Sequence, residues 1–500
     1  MNIDLLLDFE SHALFSIYVY LEKHPGTHDI NNISEQVGFE KRTTQKYLDR
    51  LIILSNDINE QAGISPIIND GHAYQICATN YKVNKELSLA IYHISIKINL
   101  LEDLLLTKEN SMTFLTEKYN LSYSTLKKDI YELRDFLKET SLSLHIRNNK
   151  LILSGLEPTI RLFFLSFFWQ LYGGYSQPFK LTNSTEKKLI FANLSFLLSD
   201  QIDPITRIQY EYLVDITLIR YLSGHYIQEN ELPVESILIG NKFIQYFQFI
   251  TEENFAVHTN IKEEVSFLLL FLQSKMAFYR NMNFFQEIKK YHKELDSSIY
   301  QANQFFFQNI GLLFNQFQFN SDKLEKELYV IHTRLLFKSF YNYVPVGEYH
   351  TLYPEDIGIV QQNIRIRLES ICPRNSLIYS HLDYSTFLYA ALSITNEFMT
   401  DCELSIFIDD SKGEFNSIGL KKFFTMSTMG LVKLNFVDSN RFLLEDDSID
   451  LIISTNKFCS IENTKNKPIL FLECTDKYED LKHVQNMVRK IMRKKAIVDR

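Results

Sequence analysis

The sequence predicts a mostly helical protein of several domains that ends in a small α/β domain. Two helix-turn-helix patterns occur near the start of the chain, each followed by a candidate β-hairpin. Helical apolar stretches then follow one another from about Thr159 to Phe398, and after Thr400 short apolar strands alternate with helical segments. A chain of 500 residues has room for about three to five hydrophobic cores.

The first helix-turn-helix pattern lies between His12 and Leu54. Apolar residues fall there at helical spacing in three bursts, which are separated by Pro25-Gly26 and by Gly38, residue types that stop helices. The pattern predicts a short helix, a glycine turn and a longer helix. The following segment Ile67–Tyr74 contains an Asp-Gly dipeptide between apolar residues, which predicts a hairpin, the wing of a winged helix-turn-helix.

The second pattern lies between Met112 and Lys138. A short helix is followed by a turn at Asn120-Leu121, and Ser122 is the predicted N-cap of the next helix. A second hairpin is predicted at His145–Leu153. The helix after Ser122 has one apolar stripe at offsets of four, three and four residues, formed by Leu126, Ile130, Leu133 and Leu137.

The longer helix of each pattern carries polar side chains at its N-terminal end, the end that a recognition helix places in the major groove of double-stranded DNA. Thr44, Leu48 and Leu51 are expected to face inward, and Arg42 and Gln45 are candidate base readers, while the other cations would neutralise phosphates. The predicted DNA-binding residues are Lys41, Arg42, Thr43, Gln45, Lys46 and Arg50 in the first unit, Ser122, Tyr123, Ser124, Thr125, Lys127 and Lys128 in the second, and Arg147 and Lys150 on the second hairpin.

For either helix alone, a solvated amphipathic helix is the alternative interpretation, but two units in tandem, each with a hairpin, strengthen the prediction of DNA binding. The formal net charge of -9 argues against a protein coated with basic residues. The sequence therefore predicts small basic reading surfaces on an acidic body.

The C-terminal region changes character after Thr400. Short apolar runs with helical segments between them predict a small parallel α/β domain of about 100 residues. The predicted strands are Leu404–Ile408, Val432–Phe436, Ile449–Ile453 and Ile469–Leu472.

Enzymatic and metal-binding classes find no support in the sequence. It contains no glycine-rich phosphate loop, no nucleophile elbow and no zinc-protease motif, so no catalytic residue, cofactor or metal is predicted. The acidic clusters Asp409-Asp410 and Glu445–Asp447 are expected to be solvated loop charge. The five cysteines, Cys77, Cys372, Cys402, Cys459 and Cys474, are widely spaced and predict neither disulfides nor a zinc site.

The location predicted for the chain is the cytoplasm. The cysteine spacing fits a reducing compartment, and the opening residues Met1–Glu10 are acidic and lack the basic start of a secretory signal. The apolar runs Leu162–Tyr172 and Val265–Leu272 are far shorter than the roughly 20 residues that cross a bilayer. No membrane partner is therefore expected.

The order of these parts resembles the Mga/AtxA family of regulators from Gram-positive bacteria, including RofA-like regulators. A further cue is the segment Gly155–Arg161, which leads into the helical region. The resemblance implies a homodimeric transcription activator of virulence or surface-protein genes, with two helical domains similar to PTS-regulation domains and a C-terminal domain similar to enzyme IIB that dimerises. The expected domains are residues 1–80 and 81–158 (winged helix-turn-helix), 159–285 and 286–398 (PTS-regulation-like) and 399–500 (enzyme-IIB-like).

The resemblance also implies control by phosphorylation of histidines, with phosphocarrier proteins of sugar transport as partners. His332 is similar to the helix-borne histidine of the second regulatory domain; a structural or solvent-facing role is the alternative. The chain departs from the family pattern elsewhere. Phe271 and Ala391 stand where histidines are expected, no histidine occurs at Asp215-Ile216, and His225 is off register.

Enzyme IIB carriers use a cysteine just after their first strand, because a thiolate there attacks a phosphohistidine. This chain has Asp409–Lys412 at that place, which argues against phosphotransfer, and Cys402, before the strand, is expected to be buried. The basic end of the last helix, Arg489–Lys495, is expected to be solvated, with a DNA contact as the alternative.

Three other functions stay open at this point. Antiterminators linked to sugar transport share similar regulatory domains and bind RNA, but they carry a short N-terminal module in place of two helix-turn-helix units. A phosphotransferase-type carrier needs a reactive cysteine or histidine. In an interaction protein, the tandem helices would bind another protein in place of DNA.

Overall fold

The chain folds into two compact units, residues 1–155 with 166–179, and residues 156–165 with 180–500. The computed structural model describes residues 2–24, 26–62, 67–69, 73–76, 81–107, 110–176, 178–179, 204–243, 261–280, 282–313, 321–342, 364–393, 403–410, 414–427, 433–437, 449–455, 467–472, 484, 487–488 and 491.

The first unit opens with three helices and a hairpin. Asp29 caps the second helix by accepting from the backbone amides of Asn31 and Asn32, and Gly38 ends it at a φ of 74°, which glycine adopts without strain. Thr44, Leu48 and Leu51 are fully buried, as predicted. The elements are α1 (Phe9–Lys23), α2 (Ile30–Val37), α3 (Lys41–Ala62), β1 (Ile67–Asn69) and β2 (Tyr74–Ile76), after a 3-10 turn at Ile3–Leu6.

The same order of elements returns in the second half of this unit. Ser122 accepts a hydrogen bond from the amide of Thr125, which confirms it as an N-cap, and Asn120 makes the preceding turn at a φ of 52°. All four residues of the predicted apolar stripe, Leu126 to Leu137, are fully buried. The elements are α4 (Tyr81–Tyr92), α5 (Ile96–Leu106), α6 (Met112–Tyr119), α7 (Tyr123–Leu137), a 3-10 turn at Lys138–Thr140, β3 (Ser143–Arg147), β4 (Lys150–Ser154) and α8 (Glu157–Tyr172), whose residues from 166 on belong to this unit.

Both predicted hairpins are antiparallel strand pairs. β1 pairs with β2 from Ile67↔Ile76 to Asn69↔Tyr74, while the turn dipeptide Asp70-Gly71 lies outside the described residues. β3 and β4 are joined by Asn148 and Asn149, both at positive φ (52° and 59°), as a tight two-residue hairpin turn requires.

The second unit begins as a helical region. Its described residues up to 393 contain no strand, in keeping with the predicted helical middle of the chain. The helices are Pro204–Leu222, Val234–Phe243, Ile261–Gln273, Met282–Glu294, Ser298–Leu313, Ser321–Tyr341, 364–371, Leu377–Ser380 and Leu382–Ser393, with 3-10 turns at Glu229–Glu231 and Met276–Arg280.

A buried network of charged side chains organises the start of this region. The guanidinium of Arg161 lies between the carboxylates of Glu157 and Glu264, and Arg220 donates to both carboxylate oxygens of Glu157 at 2.6 and 2.9 Å. All four side chains are buried. Two cations and two anions compensate each other there, as buried charges must.

The C-terminal part confirms the predicted small α/β domain. Its four strands form one parallel sheet, in which the second strand of the chain pairs with the first, the first with the third, and the third with the fourth. The core is built on Leu404, Ile406, Leu451 and Ile453. The strands and the helix described between them are β5 (Glu403–Asp409), helix Glu414–Ser427, β6 (Lys433–Val437), β7 (Leu451–Ser454) and β8 (Ile469–Phe471).

The expectation that Asp409 and Asp410 are solvated was wrong. Both are buried, because β5 extends to Asp409 in parallel register with β7. Their carboxylates accept hydrogen bonds from Ser454 Oγ at 2.8 Å and from Thr455 Oγ1 at 2.5 Å. The second acidic cluster, Glu445–Asp447, lies outside the described residues.

Other sequence expectations fall partly outside the described ranges. Cys372 is a free, buried thiol, whereas the other four cysteines are not described, and of the basic segment Arg489–Lys495 only Ile491 is. Within the described ranges, no three His, Cys, Asp or Glu side chains cluster in a way that could hold a metal ion. No described helix is both long and apolar enough to cross a membrane.

Candidate nucleic-acid interface

The outward face of α3 is a shallow, open groove. The side chains that line it are Ile30, Lys41, Arg42, Gln45, Lys46, Asp49, Arg50 and Ile53. Its position follows from the helix period, because the buried residues Thr44, Tyr47, Leu48 and Leu51 occupy the opposite side of α3. Five of the six residues predicted on this helix therefore share one surface, and Thr43, half-buried, lies beside it.

The cations of this groove differ in the contacts that their side chains make with the rest of the protein. Lys41 and Arg42 are exposed, and within the described part of the chain their side chains have no hydrogen bond or ion pair. Lys46 lies 5.1 Å from the centre of the Tyr47 ring, and Arg50 forms an ion pair with Glu10 of α1. Lys41 and Arg42, at the N-terminal end of α3, are thus the cations best placed to accept an anionic ligand.

Gln45 is held by two neighbours. Its Nε2 donates to Asp49 Oδ1 at 2.7 Å and lies 3.0 Å from the hydroxyl of Tyr74 on β2. Tyr74 is buried, and its backbone exchanges two hydrogen bonds with His28, of 2.9 and 2.8 Å. The hairpin and the reading face of α3 are therefore joined through one glutamine.

In the second helix-turn-helix unit, residues 81–158, the N-terminal end of α7 is exposed. Ser122, Tyr123, Ser124 and Thr125 all reach the surface, but the hydroxyl of Ser122 is occupied by its capping bond and lies within 2.9 Å of the Ser124 and Thr125 hydroxyls. Tyr123 is 51% exposed. This end of the helix offers hydroxyl groups, in contrast to the two cations at the start of α3.

The cations of α7 lie further along the helix and have partners. Lys127 and Arg134 lie 5.7 and 5.0 Å from the centre of the exposed Tyr131 ring, and Lys128 lies 3.9 Å from Glu132. Arg134 Nε also donates to the carbonyl of Leu144 at 2.8 Å, which attaches α7 to β3. These contacts place Lys127 and Arg134 along one line of the helix surface and Lys128 on the neighbouring line.

The second hairpin is firmly attached to the helix pair beneath it. The amide of Met112 donates to the carbonyl of Asn149 at 2.7 Å, and the amide of Leu151 donates to the carbonyl of Asn110 at 2.9 Å. Arg147 and Lys150 face each other across the strands next to the turn, and both are exposed. The tip of this hairpin therefore presents two cations on a rigid support.

His332, the candidate regulatory residue, lies on helix Ser321–Tyr341, in the core of the helical region that follows residue 180. Its ring is fully buried between two partners, Asn303 Oδ1 at 2.7 Å from Nδ1 and the Tyr389 hydroxyl at 2.8 Å from Nε2. Burial lowers the pKa of His332 to about 3, so the ring is neutral. Because Asn303 Oδ1 can only accept, Nδ1 carries the proton and Nε2 accepts from Tyr389. The solvent-facing alternative was wrong, while phosphorylation stays a prediction.

Sequence reasoning missed two parts of the groove on α3. Asp49 follows Gln45 by four residues and Ile53 follows Asp49 by four, so helical spacing alone could have placed both on the exposed face. The contact of Gln45 with Tyr74 spans 29 residues and had no local signal.

One comparison with known proteins bears on the second helix-turn-helix unit. Residues 80–168 match the family model of the Mga helix-turn-helix domain. The matched segment contains α4 to α7, the second hairpin and most of α8, so it corresponds to the second helix-turn-helix pattern and its hairpin. No curated protein matches the chain.

Proposed function

Since its helix-turn-helix domain places this chain among the Mga-family regulators, we propose that it is a transcription activator that binds promoter DNA through two winged helix-turn-helix units. The observation that carries the proposal is that residues 1–155 contain the same order of helices and hairpin twice. Each of α3 and α7 follows a short helix and a tight turn, exposes polar side chains at its N-terminal end, and is followed by a hairpin attached to it.

The proposed contacts divide by chemistry. Lys41, Arg42 and Lys46 on α3 and Lys127 and Lys128 on α7 neutralise phosphates or reach guanine edges, as cations do in protein–DNA interfaces. Arg147 and Lys150 at the hairpin tip contact the backbone or the minor groove. The remaining proposed contact residues are Thr43, Gln45, Arg50, Ser122, Tyr123, Ser124 and Thr125.

The domain plan of the proposal has five parts. Residues 1–80 and 81–158 are the reading units, 159–285 and 286–398 are PTS-regulation-like helical domains, and 399–500 is the enzyme-IIB-like domain that joins two copies of the chain. A homodimer would present four reading units to one long site. The proposed targets are virulence or surface-protein genes, the place of action is the cytoplasm, and no catalytic step belongs to the proposal.

A salt titration of binding to double-stranded promoter fragments tests DNA binding. The full-length chain is compared with a variant in which Lys41, Arg42, Lys127 and Lys128 are all changed to Ala. We expect affinity to fall steeply with salt for the wild type, and the slope to be shallower in the variant by roughly 0.9 for each phosphate that the four side chains neutralise. Equal binding by both proteins would return the chain to the interaction-protein alternative, and preference for single-stranded RNA over the duplex would favour the antiterminator alternative.

Regulation through His332 is the second part of the proposal. A phosphoryl group on Nε2 would displace the Tyr389 hydroxyl and bring nearly two negative charges into the core, which would separate helix Leu382–Ser393 from helix Ser321–Tyr341. Incubation with phosphorylated PTS phosphocarriers, followed by phosphate-affinity electrophoresis, tests it. Label on the wild type that is absent from His332→Ala supports regulation, whereas no label on either protein leaves His332 with a structural role.

A further inference from the structure

Within the basic groove of α3, the side chains of Gln45 and Asp49 are hydrogen-bonded to each other and lie beside the cations. Asp49 lies one turn after Gln45, and both line the groove with Lys41, Arg42 and Lys46. The shorter contacts of the Gln45 amide use both of its N–H donors, one on Asp49 Oδ1 and one on the Tyr74 hydroxyl. The Tyr74 hydroxyl also lies 3.3 Å from Gln45 Oε1, to which it can donate. The group that this pair can still offer a ligand is therefore the Asp49 carboxylate.

The arrangement is fixed from outside the helix. Tyr74 is 6% exposed, and its backbone pairs with Asn69 on one side and with His28 on the other. Its hydroxyl therefore cannot move away from Gln45 without disturbing the small sheet. Since Gln45 Nε2 holds Asp49 Oδ1, the carboxylate is also oriented rather than free to rotate.

An oriented carboxylate in a DNA-binding groove has a narrow range of partners. Phosphates repel it, and in the major groove guanine shows it only the acceptors N7 and O6. Two bases present an amine donor there, cytosine at N4 and adenine at N6, but the adenine amine lies beside the acceptor N7, which repels a carboxylate. Pairing of Asp or Glu with the cytosine amine is one of the established direct contacts in base recognition. The neighbouring cations Lys41, Arg42 and Lys46 can donate to guanine and to phosphate, but they cannot accept a hydrogen bond. The carboxylate is therefore the group in this set that can recognise an amine of a base.

We propose that Asp49, held by Gln45 and Tyr74, is a specificity-determining residue that selects a cytosine amine at one position of the DNA site. The inference rests on the proposed function, because it concerns base choice within DNA binding. Asp49 then acts mainly by rejecting other bases, as an unpaired carboxylate against a base acceptor is costly.

The test is selection of sites from a randomised duplex library by the full-length protein and by three variants. Asp49→Ala removes the carboxylate, and Asp49→Asn keeps its shape but adds donors. Asp57→Ala, the matched control, removes an exposed carboxylate from a position further along the same helix. Binding constants for the selected site and for single-base replacements are then measured, each at several salt concentrations.

We expect the wild type and Asp57→Ala to prefer cytosine at one position by about tenfold or more. Asp49→Ala should lose that preference while keeping its choices at the other positions, and it should bind unrelated DNA at least as tightly, because a negative charge has left the groove. Asp49→Asn should shift the preference towards adenine, whose N6 and N7 suit an amide.

Two results would overturn the inference in distinguishable ways. If Asp49→Ala and Asp49→Asn bind the selected site and keep the same base preferences as the wild type, Asp49 does not read a base, although DNA binding stands. If the wild type selects no sites and its binding does not depend on salt, the proposed function itself fails, and the inference fails with it.

Discussion

The two helix-turn-helix units attach their hairpins to the longer helix at different points, and the difference decides which side chains remain available for DNA. In the first unit the amide of Ile67 donates to Ser55 Oγ, in the later part of α3, and a further contact uses Gln45, five residues into α3 and in the middle of its exposed groove. In the second unit Arg134, close to the far end of α7, bonds the carbonyl of Leu144. The first unit therefore uses part of its reading face to hold the hairpin, whereas the second leaves the start of α7 open.

The cations of the two units also lie at different places along the longer helix. The first unit has two cations at the very start of α3, Lys41 and Arg42, while the start of α7 carries hydroxyl groups and its lysines lie near Tyr131 and Glu132. Hydroxyl groups donate and accept with any base or phosphate, whereas Arg and Lys favour guanine and phosphate. We therefore expect the first unit to supply more affinity and the second to adapt to more sequences.

The largest effect should come from the two cores. Leu48→Ala in the first unit and Leu133→Ala in the second each remove a fully buried side chain, so each should lower the free energy of unfolding by about 2–5 kcal/mol. Hydrogen exchange measured by mass spectrometry on the full chain reports α3 and α7 separately. If Leu48→Ala exposes α7 as much as α3, the two units unfold together and the comparison does not extend to stability.

The second largest effect should be a difference in DNA affinity between variants of the two units. Lys41→Ala with Arg42→Ala should weaken binding to a selected duplex by about 1–3 kcal/mol for each base that these side chains read, because the two cations have no competing partner among the described residues. Lys127→Ala with Lys128→Ala should cost less, since both lysines already contact protein groups. Titrations of the two double variants at several salt concentrations measure this, and a greater loss of affinity from the second pair would reverse the proposed division.

Most of the structure of the two helix-turn-helix units could be predicted from local sequence. The stripe from Leu126 to Leu137 and the cap at Ser122 depend on neighbours within a few residues, so periodicity and side-chain chemistry were sufficient. The parallel strands at the C-terminal end were predictable for the same reason, because each is a short continuous apolar run between helical segments.

Contacts between distant residues were not predictable from such patterns. The burial of Asp409 depends on Ser454, 45 residues later, and the surroundings of His332 depend on Asn303 and Tyr389, 29 and 57 residues away. A charged or polar side chain reads as exposed in sequence unless its partner is known. The same limit hid the role of Gln45, which by its position alone is a plausible base reader.

The helix caps offer a smaller test that treats both units alike. Asp29→Ala removes an acceptor from two amides at the start of α2, and Ser122→Ala removes one from the amide of Thr125 at the start of α7. Each should cost about 0.5–2 kcal/mol of stability. Only Ser122→Ala should also change DNA binding, because its hydroxyl lies at the proposed interface. Thermal unfolding and duplex binding of both variants measure the two effects, and equal losses of affinity would argue against a contact at Ser122.

The smallest expected effect concerns ion pairs that compete with phosphates. Glu10 holds Arg50 in the first unit, and Glu132 lies 3.9 Å from Lys128 and 2.7 Å from Lys97 in the second. Exposed pairs contribute about 0.2–1 kcal/mol, so Glu10→Gln should scarcely change stability, whereas Glu132→Gln should cost more because its partner Lys97 is buried.

Their effect on DNA should still differ between the units. Glu10→Gln releases a guanidinium at the edge of the α3 groove, which should raise affinity a few-fold and steepen the salt dependence by about one phosphate contact. Glu132→Gln also removes the partner of the buried Lys97, so it should lower stability. Any gain in DNA affinity from the released Lys128 should therefore come with a less stable protein. Unchanged salt dependence in Glu10→Gln would show that Arg50 lies outside the contact surface, and would confine the phosphate contacts of α3 to its first turns.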